Sequence, residues 1–240
     1  MNKEKLLYEN SKHALQSDNI IAITNRHLCS RPFMEQLERV CKLHPHAIVL
    51  REKDMPEAEY LSLARDVIAL CKKYDVPCML HSFINVAIEL EHPYIHLPLP
   101  ILEAYVKKNV SGNIYTGMSK STDNYQQFFK VIGTSVHSVE DAIKAEQLGA
   151  TYMTAGHIFA TDCKKGLPPR GLDFLKNVCD AVGIPVYAIG GINIASSDDS
   201  TASDAPPAYD AMPDISVPRL ADVMKCGAAG GCIMSGMMRV

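Results

Sequence analysis

Tyr152-Met153-Thr154-Ala155-Gly156-His157-Ile158-Phe159-Ala160-Thr161-Asp162-Cys163-Lys164-Lys165-Gly166 passes from an apolar run into a polar one with two adjacent lysines and a turn-forming glycine. The run over 150–155 reads as a strand, and helical spacing resumes near Gly171, giving a helix over 172–182. The polar stretch is then the loop at the C-terminal end of a strand. Its lysines and threonine suit an anionic small molecule, a phosphorylated one above all. By itself such a stretch is more often a solvated basic turn, so its meaning depends on the rest of the chain.

The same strand–loop–helix order recurs throughout. Short β-branched or apolar runs lie at 20–24, 47–50, 76–80, 94–97, 130–135, 152–155, 184–189 and 231–234. Helical spacing fills 33–43, 55–74, 83–90, 139–148, 172–182 and 217–226. Eight short, doubly buried strands separated by helices predict a (β/α)₈ TIM barrel in an α/β protein; a doubly wound sheet competes because periodicity cannot close a barrel. We expect one domain over 1–240, with an N-terminal helical extension over 1–18 and a flexible insertion over 196–213, rich in Ser, Asp, Ala and Pro. A polar stretch over 111–127 also breaks the rhythm. Residues 235–240 are too few for a helix after strand eight. The amphipathic 2–16 segment (Leu6, Leu7, Ala14, Leu15) would either replace that helix or cap the other end.

Composition narrows the function. The chain has 240 residues, 21% charged and 47% hydrophobic, with net charge −3. That suits a soluble globular protein and gives no reason to expect nucleic acid or an anionic membrane as partner. No apolar run approaches the ~18 residues of a membrane span, and there is no apolar signal core near Lys3, Glu4 and Lys5, so a cytoplasmic location is expected. The eight cysteines (29, 41, 71, 78, 163, 179, 226, 232) form no CxxC pair and read as reduced thiols. His44 with His46, and His92 with His96, lack a spaced set of ligands, so no metal is expected there.

Residues at strand ends carry the chemistry. Arg51-Glu52-Lys53 ends the second strand, and its period-2 alternation puts Arg51 and Lys53 on one face. Gly190-Gly191 ends the seventh strand and Met234-Ser235-Gly236 the eighth, where backbone N–H groups commonly cradle phosphate in this fold. Gly133-Thr134-Ser135-Val136-His137-Ser138 ends the fifth, with Ser138 as a helix cap and Asp141 at its third position. His137 is left at a strand end, where an imidazole can move protons at neutral pH.

Arg51-Glu52-Lys53, Ser135-Val136-His137-Ser138 and Ala188-Ile189-Gly190-Gly191-Ile192 together resemble the thiamine phosphate synthase/TenI family across residues 20–237. The 156–166 stretch, continuing to Arg170-Gly171, looks most like the TenI branch, the thiazole tautomerases. That resemblance implies a thiazole tautomerase-like isomerase of thiamine biosynthesis. It would convert a thiazole phosphate carboxylate into its aromatic tautomer without a cofactor. His137 is the implied proton carrier, with Arg51, Lys53, Ser135, Lys164, Gly190, Gly191, Met234 and Ser235 binding substrate and phosphate.

The synthase branch joins a hydroxymethylpyrimidine pyrophosphate to a thiazole phosphate with Mg²⁺. Its carboxylates follow an Asn-Asp pair after strand three and a Gly-Gln-x-Asp run after strand four. This chain has His81-Ser82 and Pro98-Leu99-Pro100-Ile101 there, and His81 departs from the asparagine of both branches. Two alternatives stand: a synthase recruiting Mg²⁺ through Glu52 or Asp162, and a non-catalytic phosphate-ligand sensor. The implied partner is a small-molecule thiazole phosphate, with a homodimer left open; His81 and Cys163 are the next candidates for the proton carrier.

Overall fold

The computed structural model describes residues 18–110, 128–194 and 217–240. The expected N-terminal extension, the 111–127 stretch and the 196–213 insertion lie, apart from Asp18, outside those residues. Eight strands close into one parallel barrel in sequence order: β1 (Ile20–Ile23), β2 (Ala47–Leu50), β3 (Cys78–His81), β4 (Tyr94–Pro98), β5 (Val131–Val136), β6 (Tyr152–Gly156), β7 (Val186–Ile189) and β8 (Gly230–Ile233). Closure excludes the doubly wound alternative. The helices are α1 (Phe33–Lys42), α2 (Glu57–Lys73), α3 (Ile84–Glu89), α4 (Leu99–Val110), α5 (Val139–Gln147), α6 (Gly171–Ala181) and α7 (Leu220–Lys225).

Two departures from the expected elements have physical causes. β3 and β7 begin two residues late because Pro77 and Pro185 have no N–H to give a neighbour. Their carbonyls still accept, from Ile48 N–H at 2.8 Å and Met153 N–H at 3.0 Å. Helix α4 was not expected from the sequence. It starts at Leu99, directly after β4, with no loop between. Its first residues, Leu-Pro-Ile-Leu, carry no polar cap of the kind that marks a helix start.

The packing follows alternation along each strand. One set of side chains joins the helices in the outer layer, with Leu37, Val40, Ile48, Leu50, Ala64, Val67, Leu80 and Leu97 among them. The other set fills the barrel: Ile21, Ile23, Ala47, Val49, Met79, Tyr152, Tyr187 and Cys232. Where a helix would follow β8, the chain turns back on α1. Met237 and Met238 are buried there. Gln36 Nε2 donates to the Met237 carbonyl at 2.8 Å, and Arg39 Nε to the Val240 carbonyl at 3.2 Å. Among the described residues, this turn is fastened to α1.

The β1–β8 seam depends on glycine. Gly231 N–H donates to the Asn19 carbonyl, and Asn19 Nδ2 donates to the Ala229 carbonyl. A Cβ on Gly230 would lie 1.8 Å from the Asn19 carbonyl oxygen. Neither strand can yield without opening the ladder. Gly230→Ala should therefore destabilise the protein by about 1–3 kcal/mol or more, read as a lowered urea midpoint; an unchanged midpoint would show that the seam is slack.

Candidate active site

A closed parallel barrel brings all eight strand ends to one rim, so Arg51, Lys53, Ser135, His137, Lys164, Gly190, Gly191, Met234 and Ser235 share that face. The cations are the clearest convergence. Burial, then Arg51, then Lys164 push the Lys53 ammonium below its ordinary value. β2 and the β6 loop thus bring three cations within electrostatic reach of one another.

Arg51 is placed by a network beneath it. Its N–H donates to Thr24 Oγ1 at 2.9 Å, and that hydroxyl donates to Glu52 Oε1 at 2.7 Å. Glu52 is buried and also accepts from the Arg26 N–H and Arg26 Nη1. Alternation thus sends Glu52 away from Arg51 and Lys53, as the sequence pattern implied. Tyr60 of α2 fastens the next strand: its hydroxyl donates to the Leu50 carbonyl at 2.7 Å and accepts from His81 N–H at 3.0 Å.

His137 lies just past β5, exposed at the rim. Its Nδ1 is 2.8 Å from the Gly156 carbonyl. A carbonyl only accepts, so Nδ1 carries the proton and Nε2 of the neutral ring is a bare acceptor. Ser138 caps α5, its side chain accepting from Asp141 N–H at 3.0 Å.

The Gly190-Gly191 pair is needed first for packing. Their φ values are +99° and +67°, and added Cβ atoms would lie 2.4 Å from His157 Cβ and 2.5 Å from the Ala160 carbonyl oxygen. Only glycine admits the β6 loop there. Arg219 donates to the Gly191 carbonyl at 2.7 Å and lies over the Phe159 ring at 4.5 Å, pinning both loops. Met234 packs on the barrel interior, leaving Ser235 at the end of β8.

Sequence reasoning missed the polar layer inside the barrel. His96 is buried, with Nδ1 2.9 Å from the Tyr152 hydroxyl and Nε2 2.9 Å from Ser135 Oγ. Thr154 donates to the same Ser135 oxygen at 2.9 Å. Gly133 leaves room for the Tyr152 ring, which a Cβ would meet at 2.1 Å. His81 pairs with His96 across β3 and β4, their rings stacked 5.6 Å apart. The available signal was parity: His96 shares a face with Tyr94 and Pro98. His92 lies apart, its Nε2 on the Cys78 carbonyl at 2.7 Å.

Residues 20–208 match the family model described as thiamine monophosphate synthase. The chain belongs to the thiamine monophosphate synthase/TenI family, whose place is in thiamine biosynthesis. It is 34% identical over 178 residues to "Putative thiamine-phosphate synthase 2" of Aquifex aeolicus, covering 74% of this chain and 87% of that one. It is 30% identical over 175 residues to a thiamine-phosphate synthase of Caldanaerobacter subterraneus, covering 72% and 75%. The solved thiamine phosphate pyrophosphorylase from Pyrococcus furiosus superposes with TM-score 0.65 at 26% identity, covering 93% of this chain and 89% of that one. Among the described residues, no helix is long and apolar enough to cross a membrane.

The described residues do not fit the Mg²⁺ that the synthase branch implies. A hard dication needs carboxylate oxygens, but β3 ends in His81-Ser82 and β4 runs straight into Leu99-Pro100 of α4. Glu52 is occupied by Thr24 and Arg26. No group of three His, Cys, Asp or Glu residues in the described part could hold a metal ion.

The two inner histidines set a pH dependence. Burial, then the cations Arg51 and Lys53, push His96 down to about 4. Burial, His96, Arg51 and Lys53 push His81 down to about 3. Both are neutral in the fold, whereas unfolded imidazoles take up protons near 6.5. Their contribution is therefore complete above about 6.5 and is lost as pH falls towards 4 and then 3. Urea midpoints should drop on acidification from pH 7 to pH 5, and drop less in a His81→Asn variant; equal acid sensitivity would show that the rings do not hold these values.

Proposed function

We propose that this protein is a thiazole tautomerase-like isomerase acting on a thiazole phosphate carboxylate. The observation that carries this is His137, whose Nδ1 is tied to the Gly156 carbonyl so that Nε2 opens at the rim as a base. In this reading the phosphate rests on backbone N–H groups near Gly190, Gly191 and Ser235. Arg51, Lys53 and Lys164 attract the remaining anionic oxygens. His137 Nε2 takes a proton from one ring atom and returns one to another, so no atom is gained or lost. The product ring is aromatic, which supplies the driving force, and the protein need only orient substrate and shuttle the proton.

His137→Asn should keep the fold and most phosphate affinity but slow turnover by about 10²–10⁴-fold, the usual contribution of a general acid–base group. Asparagine preserves the hydrogen bond to Gly156 and cannot exchange a proton near neutral pH. Calorimetric titration and the ultraviolet absorbance of the aromatic product separate the two effects. Wild-type turnover in the variant would remove His137 from the mechanism. Lys164→Ala should weaken ligand binding more than Lys165→Ala, because Lys164 is among the cations that act on the Lys53 ammonium. Both lysines are exposed, so the difference rests on a charge-assisted bond to the ligand, worth ~1.5–3 kcal/mol, against ~0–1 for a surface ion pair. Equal losses would reduce this loop to a solvated turn.

A second reading, thiamine phosphate synthesis, is favoured by the names of the relatives. It predicts turnover of a pyrimidine pyrophosphate with a thiazole phosphate, abolished by EDTA and restored by Mg²⁺. That outcome would replace the isomerase reading. Binding of a thiazole phosphate without any turnover would favour a ligand sensor.

A further inference from the structure

His81 holds an imidazole nitrogen that has no partner among the described residues. Its Nδ1 lies 2.8 Å from Ser82 Oγ. Ser82 is held at φ +70° by a turn whose N–H bonds the His96 carbonyl at 3.0 Å. Nε2 has no protein partner among the described residues, and it is not one of the two enclosed unpartnered side-chain atoms there, Gln36 Oε1 and Thr134 Oγ1. It therefore opens towards space.

That space is the barrel mouth. His81 shares its face of β3 with Met79, which packs in the barrel interior. Its neighbour His96 is saturated by Tyr152 and Ser135 and cannot turn towards a ligand. Arg51 and Lys53 act on the His81 ring, so the open nitrogen and the cations border one region. In the closed order β3 stands opposite β7 and β4 opposite β8. A ligand anchored by its phosphate over β7 and β8 presents its far end to β3 and β4.

We propose that His81 is a specificity-determining residue. With Ser82 Oγ donating to Nδ1, Nε2–H donates to the carboxylate at the far end of the phosphorylated heterocycle, and Arg51 and Lys53 draw that anion to it. This rests on the isomerase reading for the position of the phosphate. At neutral pH the ring is uncharged, so it selects by hydrogen-bond geometry and adds direction to the charge that the cations supply.

The test compares two probes by calorimetry: a thiazole phosphate bearing the ring carboxylate, and the same compound without it. Wild type should prefer the carboxylated probe. His81→Asn keeps a polar atom near Nδ1 for Ser82 but nothing at Nε2, whereas His81→Gln reaches the Nε2 position. The asparagine variant should lose about tenfold of the preference, as expected for a hydrogen bond to a charged group. Its affinity for the uncarboxylated probe should be unchanged, and the glutamine variant should retain most of the preference. A purely structural role would instead weaken both probes alike, and unfolding curves for each variant check the fold. An asparagine variant with the full preference overturns the inference, as does a wild type that binds both probes equally. A wild type that binds neither probe overturns the isomerase reading itself, and the inference with it.

Discussion

The closure of β8 against β1 is the constraint on which the rest of the molecule depends. It is made by backbone groups at Asn19 and Gly231 and by the side chain that Gly230 does not have. Without it, β7 and β8 would end at one edge of an open sheet and β1 and β2 elsewhere. With it, the glycine-rich loops at Gly190 and Ser235 stand on the same ring as Arg51 and Lys53. Every proposed role at the mouth presupposes that ring.

Beneath the mouth, the barrel changes from apolar to polar in one layer. Tyr152 is the hinge of that change: its ring packs with Tyr187 and Cys232, while its hydroxyl meets His96. Buried polar groups are tolerated only when partnered, and His96, Ser135 and Thr154 satisfy one another. Above them the partners run out. His81 and His137 each bind the protein through Nδ1 and leave Nε2 to the mouth. Two imidazoles with the same habit occupy different environments, one enclosed and held neutral by burial, the other exposed at the rim. That difference suits one to recognition and the other to proton transfer.

The strand and helix order was legible because buried parallel strands and amphipathic helices have distinct periods, and the cap at Ser138 because Ser-x-x-Asp carries its own mechanism. The Arg51/Glu52/Lys53 alternation could be read for the same reason. Helix α4 could not, since its start at Leu99 has neither loop nor polar cap. The cluster of His81, His96, Tyr152, Ser135 and Thr154 was equally hidden. It draws one or two residues from each of four strands, and no sequence window contains it. The glycines at 190 and 191 were read as ligand-facing, but their missing side chains first accommodate His157 and Ala160.

The sequence by itself determined an eight-strand alternation, the residues at each strand end and the family to which the chain belongs, because those follow from local periodicity and short motifs. Only the tertiary structure decided that the sheet closes, which tautomer His137 must adopt, and that His81 faces the mouth with a nitrogen unpartnered among the described residues. Each of those depends on groups far apart in the chain being brought within hydrogen-bond distance, as Gly156 is for His137 and Asn19 is for Gly231.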